Sequence, residues 1–492
     1  MASKNLTTLS KLTRLASTKL AVEPKLPETE FEAPSYDGPS YDHVRNVRDT
    51  NLNPVLRTIY KKPLLIHSGK MQWLYDHEGR RYLDMFGGVV TVSVGHCHPR
   101  VTAALQSQIH KLWHTTNIYL HPKIHEFAEK LVSTMPKGLD CVYFVNSGSE
   151  ANDLAMSLSR MYTGNFDVIS LRNAYHGGSP YTLGLTAHDT YKYPIPGVNN
   201  GIIHAMNADP YKGIWGGSNC RDCPVQTDRK CDCGPNGCQA GKNYIKELGE
   251  VFKYSLPKGR VAAMFAESIQ GVGGIVQFPK NYIKEAAKMV RANGGLFISD
   301  EVQTGFGRTG DHFWGFEGHG IVPDIVTMAK GIGNGFPIGA VVTRKEIASM
   351  MSQAAHFNTY GGNPLSSAVG VEVLNVIKDE GMQENSLKMG NYFLEQLAQL
   401  RDEYEIIGDV RGKGLMIGVE FVSDKDSKNP LDKQQFLDIW EQTKDMGVLF
   451  GTGGAYGNVL RVKPPMCINK ADVDFAVDVL KSALDTHKIK YL

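Results

Sequence analysis

Between about residues 140 and 345, short apolar runs rich in β-branched residues alternate with stretches whose apolar positions recur at helical spacing. CVYFV runs into the glycine-containing turn NSGSE, and EANDLAMSLSRMYTG then sets Leu154, Leu158 and Met161 on one side of a helix. DVISLR, VAAMFAES, GGLFISDE and DIVTMAKG are further short apolar runs, each ending at polar or glycine residues. This alternation predicts an α/β fold whose large, doubly wound domain has a mainly parallel sheet covered on both faces. Ligands gather at the carboxyl ends of the strands in such sheets. Four of the runs end in chemically useful residues: the turn Ser147–Asn152, Glu267, Asp300 and Lys330.

The flanks have a different rhythm. Residues of about 50–95, including KPLLIHSGKMQWLYDHEGRRYLDMFGG, alternate in the manner of a β-meander with a turn at Asp76–Gly79. Residues of about 370–492 hold two long helical patterns and strands such as GLMIGVEFV and NVLRVKP. Together they predict a smaller α+β lobe built from both termini. The expected division is a leader and Pro-rich lead-in over 1–40, part of the small lobe over 41–95, the large domain over 96–350 and the C-terminal small domain over 351–492.

Composition narrows the class without naming a function. The 492 residues are 42% hydrophobic and 21% charged, with a formal net charge of +2, so no excess of charge points to nucleic acid or an anionic membrane. No apolar run approaches the roughly 18 residues that span a bilayer, which predicts a soluble protein. The start of the chain is the exception. Lys4, Lys11, Arg14, Lys19 and Lys25 precede or flank the first acidic residue, Glu23, and Leu6, Leu9, Leu12 and Leu15 recur every three residues. A basic, hydroxylated, acid-poor start of this kind predicts an import presequence and a mitochondrial matrix location, against the alternative of a disordered tail. Five of the eight cysteines, Cys220, Cys223, Cys231, Cys233 and Cys238, crowd a Gly- and Asn-rich stretch of about 216–241 that reads as a surface insertion. Its spacing lacks the paired C-x2-C frame of a zinc ribbon, and structural zinc, a local disulfide and unliganded thiols all remain open. Cys97, Cys141 and Cys467 read as buried free thiols.

The strand ends carry the candidate chemistry. Lys330 closes DIVTMAK before GIGNGFPIG; a desolvated amine there loses its proton readily and can form a Schiff base, whereas the plain alternative is a solvated lysine before a flexible loop. Asp300 closes GGLFISD, where a carboxylate can hold a pyridine nitrogen protonated, or can simply cap the next helix. The turn Ser147–Asn152 opens a helix, and its backbone N–H groups with the helix dipole suit a phosphate monoester, although these are also ordinary turn residues.

These residues belong to a longer pattern. ISDEVQTGFGRTGDHFWGFEGHGIVPDIVTMAKGIGNGFPIG (298–339) closely resembles the signature of the class III aminotransferases, with the DEVQTGFGRTG block, the PD pair and K-G-x-x-x-G-x-P-x-G in order. The resemblance extends from about residue 45 to the C-terminus, through GHCHP (95–99), NSGSEAN (146–152), AYHG (174–177), HFNTYGGNP (356–364) and RGKGLMIG (411–418). It implies the fold type I architecture, pyridoxal 5'-phosphate as cofactor, no metal, and small amino acid and keto acid substrates. It further implies transfer of the amino group of alanine, and of β-aminoisobutyrate or related amines, to glyoxylate or pyruvate. A phospho-lyase on the same scaffold and an ω-amino-acid transaminase with another donor are the alternatives.

Position by position, the resemblance implies that Lys330 carries the cofactor, Asp300 pairs with its ring nitrogen and Gln303 sits near its phenolic oxygen. Gly148 and Ser149 cradle the phosphate and Tyr175 stacks on the ring, unless Tyr175 merely packs the core. Thr359 reaches the phosphate of a neighbouring subunit, which implies a homodimer or homotetramer. Glu267 and Arg461 form a gating ion pair in which the arginine can instead take the substrate carboxylate, the alternative being a purely structural bridge. Arg411, His96 and His98 read as structural. Glu267 is followed by Ser268, where many members carry proline, a departure expected to have little consequence.

Overall fold

The computed structural model describes residues 24–55, 58–227 and 238–491. The presequence reading over the first twenty-three residues therefore lies outside the described residues, as do Cys231 and Cys233.

After a helix at Tyr41–Asn51, the chain forms the expected meander: β1 (Ile66–Lys70), β2 (Trp73–Asp76) and β3 (Arg81–Asp84), paired antiparallel. Asp76 makes the turn between β2 and β3, its Oδ1 accepting from the N–H groups of Glu78 (3.0 Å) and Arg80 (2.9 Å). The central sheet follows, from β4 (Cys141–Val145), β5 (Val168–Leu171), β6 (Ile202–Ala205), β7 (Ala263–Glu267), β8 (Leu296–Asp300), β9 (Ile325–Met328) and β10 (Gly339–Thr343). Its strand order is β4-β10-β9-β8-β7-β5-β6. Only β10 runs against the rest, antiparallel to both β4 and β9. Every residue of β5, β7, β8, β9 and β10 is buried, because helices cover both faces and leave no place for polar alternation.

Two of those helices show how sequence sets position. Gly148–Thr163 leaves β4 through Ser147, whose side chain accepts from Glu150 N, and stops at Gly164 in a left-handed conformation (φ 64°). Tyr282–Ala292 buries Ile283, Ala286, Ala287 and Val290, the i, i+3, i+4, i+7 stripe of a helix lying on a core, and leads into β8. On the outside, Pro364–Asp379 packs on Pro99–Ile109 and Pro122–Val132.

The C-terminal part adds β11 (Ile407–Lys413), β12 (Met416–Phe421), β13 (Val448–Leu449), β14 (Gly451–Gly453) and β15 (Val459–Val462), with helices at Met382–Glu403, Lys433–Asp445 and Lys470–Tyr491. The first and last of these helices are the long ones, 22 residues each. A four-stranded antiparallel sheet, β11-β12-β15-β14, carries the end of the chain. The two-residue β13 pairs parallel to β3, so the N-terminal meander and the C-terminal segment share one sheet.

Two expectations fail here. The described part of the cysteine-rich stretch is a surface excursion only in part: Asn219, Asp222 and Pro224 are exposed, but the residues between them are not. Cys220 and Arg221 are buried, and the Arg221 guanidinium grips both carboxylate oxygens of Asp409 in β11 at 2.7 Å. Asp409 also meets Arg411 at 2.9 Å, and Arg411 meets Glu420 at 2.8 Å, so charge is compensated inside the structure. Cys97, at φ 46°, is exposed, and Cys141 and Cys467 are partly buried, so none of the three is the fully buried thiol expected. Among the described residues no group of three or more His, Cys, Asp or Glu is placed to hold a metal.

Candidate active site

The register of the central sheet sets the stage. Glu267 at the end of β7 lies beside Asp300 at the end of β8, which lies beside Thr327 in β9. The chain leaving β9 turns at Ala329 and places Lys330 at φ 51°, a left-handed conformation that a lysine rarely adopts. Three strand ends thus aim a carboxylate, a second carboxylate and an amine into one space.

That space is a cavity of about 780 Å³. Gly148, Ser149, Tyr175, Glu267, Asp300, Gln303, Lys330 and Arg461 all line it, eight of the nine residues expected from sequence. Phe86, Val272, Trp440 and Phe450 give it apolar walls. Thr359 is the residue the structure does not bring in: it lies in an exposed loop away from the cavity lining of its own chain.

Burial pulls the Lys330 amine down to about 8, and Arg461 adds to this while Asp300 and Glu267 oppose it. Asp300 is held from three sides. Asn152 Nδ2 donates to its Oδ2 at 2.8 Å, His176 Nδ1 lies 2.8 Å from the same oxygen, and Val302 N donates to Oδ1 at 3.1 Å. Asn152 also donates to the His176 carbonyl at 2.8 Å, so the two holders fix each other. Sequence reasoning missed both as partners of Asp300, although each stands inside a motif it quoted. Ser268 likewise proves to be a donor, its Oγ 2.5 Å from Oε1 of the buried Glu301.

Helix Gly148–Thr163 points its N-terminus at the cavity from β4. Gly177, at φ 134°, packs so closely that a Cβ there would stand 2.6 Å from Ser149 Oγ, and Gly178 N donates to that oxygen at 3.1 Å. This hugging of bare backbone to a helix start is the form of an anion seat. The rim is a strained turn in which Gly87, Gly88, Val89 and Val90 all have φ between 55° and 67°. It is held by Asp84 Oδ1, which accepts from Phe86 N (2.9 Å) and Gly87 N (2.8 Å).

The expected Glu267–Arg461 ion pair is absent. Glu267 accepts instead from Tyr175 N (3.2 Å) and Gly271 N (2.7 Å), and burial raises its carboxyl above the usual range. Arg461, on β15, stands between Gly418 and Gly451 and donates from Nε to the Thr452 carbonyl at 2.8 Å. Its Nη1 is buried without a partner, and burial lowers the guanidinium to about 10. An unpaired buried guanidinium is costly, and a carboxylate entering the cavity would satisfy it in planar, forked geometry. Arg411, His96 and His98 lie outside the cavity lining, His96 Nε2 standing 2.8 Å from Asp84 Oδ2.

A lysine and an aspartate at parallel strand ends, a helix start and an arginine with one buried nitrogen lacking a partner thus share one cavity. The chain belongs to the class III aminotransferases, whose family model, "Aminotransferase class-III", matches residues 57–484. Its architecture is that of the fold type I pyridoxal-phosphate-dependent enzymes. It is 53% identical over 476 residues to "Alanine--glyoxylate aminotransferase 2, mitochondrial" of Pongo abelii, a match covering 96% of this chain and 92% of that one. Among solved structures it resembles an Arthrobacter phospholyase in complex with phosphoethanolamine, with a TM-score of 0.80, 30% identity and coverage of 90% of this chain and 99% of that one. It equally resembles an (S)-enantioselective omega-transaminase from Thermomicrobium roseum, with a TM-score of 0.80, 30% identity and coverage of 91% and 98%.

Proposed function

We propose that this aminotransferase moves the amino group of alanine to glyoxylate, giving pyruvate and glycine, with pyruvate as an alternative acceptor and β-aminoisobutyrate or related amines as further donors. The observation that carries the catalytic reading is the convergence of Lys330, Asp300, the 148–149 helix start and the unpaired Arg461 Nη1 on one cavity. The choice of alanine and glyoxylate rests on the similarity to the relative of that name over 96% of this chain.

The residues fit pyridoxal phosphate. Lys330 would hold it covalently, Gly148 and Ser149 its phosphate, Asp300 its ring nitrogen, Gln303 its ring oxygen and Tyr175 its face. When bound, the cofactor supplies an aldehyde carbon to receive the amino group and a ring that accepts the electron pair left at the substrate's Cα. The rest belongs to the chain. Arg461 binds the substrate carboxylate and so turns the Cα–H bond toward Lys330. Lys330, poised near neutrality, takes the Cα proton as base and returns it as acid. Asn152 and His176 keep Asp300 from swinging away as charge shifts. Tyr175, edge to face with Tyr191 at 4.9 Å, and the apolar walls keep water from the reacting atoms.

Thr359 belongs to a second copy of the chain in this proposal. It lies among exposed apolar side chains: Phe357 and Tyr360 beside it, and Trp113, Ile118, Tyr119 and Leu120 on a nearby loop linked through the His114–Tyr360 ring contact. Solvent is a poor neighbour for such a patch, and a symmetric contact would cover it while carrying Thr359 to the other site. The basic, acid-poor first residues and the name of the relative support import into the mitochondrial matrix. No helix among the described residues is long and apolar enough to cross a membrane.

A donor-by-acceptor panel on the purified protein tests the proposal. Alanine and glyoxylate should yield glycine and pyruvate in equal amounts. Release of inorganic phosphate from ethanolamine phosphate, with no glycine formed from alanine and glyoxylate, would replace it with a phospho-lyase.

A further inference from the structure

Two residues beyond Arg461 the chain buries another cation. Lys463 is 0% exposed, contributes nothing to the cavity lining, and places its Nζ 2.6 Å from Gln303 Oε1. Its own backbone is fixed, with Lys463 N donating to the Met85 carbonyl at 2.8 Å. An apolar side chain of similar length would fill the space without the cost of burying an amine. Burial, with the cations Arg461, Lys330 and Arg308 close by, pushes that amine well below its usual range, and the Glu267 carboxylate opposes them.

Gln303 is the group that gains from this arrangement. A glutamine amide has nearly the same shape either way round, so only its partners decide which end faces the cavity. A lysine donor at Oε1 leaves the Nε2 hydrogens for the cavity side. The amide is also pressed flat: a Cβ on Gly271 would stand 2.3 Å from Oε1, 2.5 Å from Cδ and 2.7 Å from Nε2. Gly271 in turn is fixed by its N–H bond to Glu267 Oε2 at 2.7 Å. We propose that Lys463 is a positioning residue, which by donating to Oε1 turns the Gln303 amide so that Nε2–H is presented to the ring oxygen of the cofactor. The proposal rests on the reading that the cavity takes pyridoxal phosphate.

A donor at the ring oxygen stabilises negative charge there and weakens that oxygen's hold on the proton it shares with the Lys330 Schiff-base nitrogen. Loss of the donor should make that proton harder to remove. The test is therefore spectroscopic: the midpoint of the pH titration of the visible absorption band of the holoenzyme, without substrate. Lys463→Met should raise the midpoint by about one pH unit. Gly271→Ala, which leaves Lys463 in place but displaces the amide, should raise it in the same direction, and carries the test if Lys463→Met does not fold. In a Gln303→Leu background neither change should add a further shift. Midpoints within about 0.2 unit of the parent in both variants would overturn the proposal, as would a Lys463→Met shift that persists in full without Gln303. A parent protein that takes up no cofactor would instead sink the aminotransferase reading, and with it any role for Lys463; a normal band that does not move sinks this proposal alone.

Discussion

Lys330 should capture an aldehyde at a pH where an ordinary lysine is almost inert. Its amine is drawn from 10.5 to about 8 by burial first and by Arg461 second. At pH 7.5 a group of pKa 8 is about one quarter free base, against about one part in a thousand for an ordinary lysine, a gain of roughly 200-fold in the nucleophilic form. The apo protein mixed with pyridoxal phosphate in a stopped-flow cell should therefore show a bimolecular loading rate that climbs tenfold per pH unit below 8 and levels off above it. Rates are to be normalised to the rate per free base of a simple amine at the same pH, which removes the cofactor's own ionisations and keeps the titration of Lys330. The sign of two variants follows from the surroundings. Arg461→Met removes a cation that disfavours the ammonium form, so the midpoint moves up toward 10.5. Asp300→Asn removes an anion that favours it, so the midpoint moves down. A midpoint at 10 or above in the parent protein, or shifts of the opposite sign, would refute the electrostatic argument.

The remaining predictions address other links. Asn152→Ala deletes one buried charge-assisted hydrogen bond to Asp300, worth about 1.5–3 kcal/mol, and should lower kcat/KM on the order of 10- to 100-fold, measured by steady-state kinetics with cofactor saturating. Arg221→Met leaves Asp409 short of its bidentate partner inside the fold, which should cost about 3–5 kcal/mol and appear as a clear fall in Tm by calorimetry. Burial alone would raise the Asp409 carboxyl, but Arg221 and Arg411 outweigh it and hold it well below the ordinary range. Its stabilising contribution is therefore complete above the unfolded value of about 4 and is lost as pH falls below that toward the folded one, a window that acid-induced unfolding can trace. Refolding Lys330→Ala subunits together with Thr359→Asp subunits should restore activity absent from either alone, because a mixed dimer holds one site with a native lysine and a native partner threonine. Recovery of no activity from verified mixed dimers would remove Thr359 from the partner's site.

Much of the central sheet and its chemistry was legible because apolar runs end abruptly where the sheet ends. Glu267, Asp300 and Lys330 each close such a run, and the parallel register then aligns the first two without any further instruction. β6 and β10 escaped notice although neither is shorter than strands that were found; the glycines and proline ahead of GAVVT read as loop. The reversed direction of β10 rests on antiparallel pairing with its chain neighbour β9 and with β4, almost 200 residues away, and periodicity encodes neither. The holders of Asp300 were hidden for the same reason. Asn152 and His176 stand 148 and 124 residues from it, and as isolated letters they are turn residues. The insertion read as a surface feature because Gly, Asn and charge favour loops, yet Arg221 is buried because Asp409 waits 188 residues downstream. Glu267 and Arg461 were both found, but their expected pairing lost to two backbone N–H groups that hold the carboxylate where it stands.

The central claim is that one amine, at the end of β9, does the covalent work, although Lys463 is a second buried lysine with a depressed pKa close by. Borohydride reduction of the cofactor-loaded protein, followed by proteolysis and mass spectrometry, asks the question directly. The account predicts a pyridoxyl adduct on the peptide that contains Lys330 and its loss in Lys330→Ala. An adduct on Lys463, on any other lysine, or on none would contradict it.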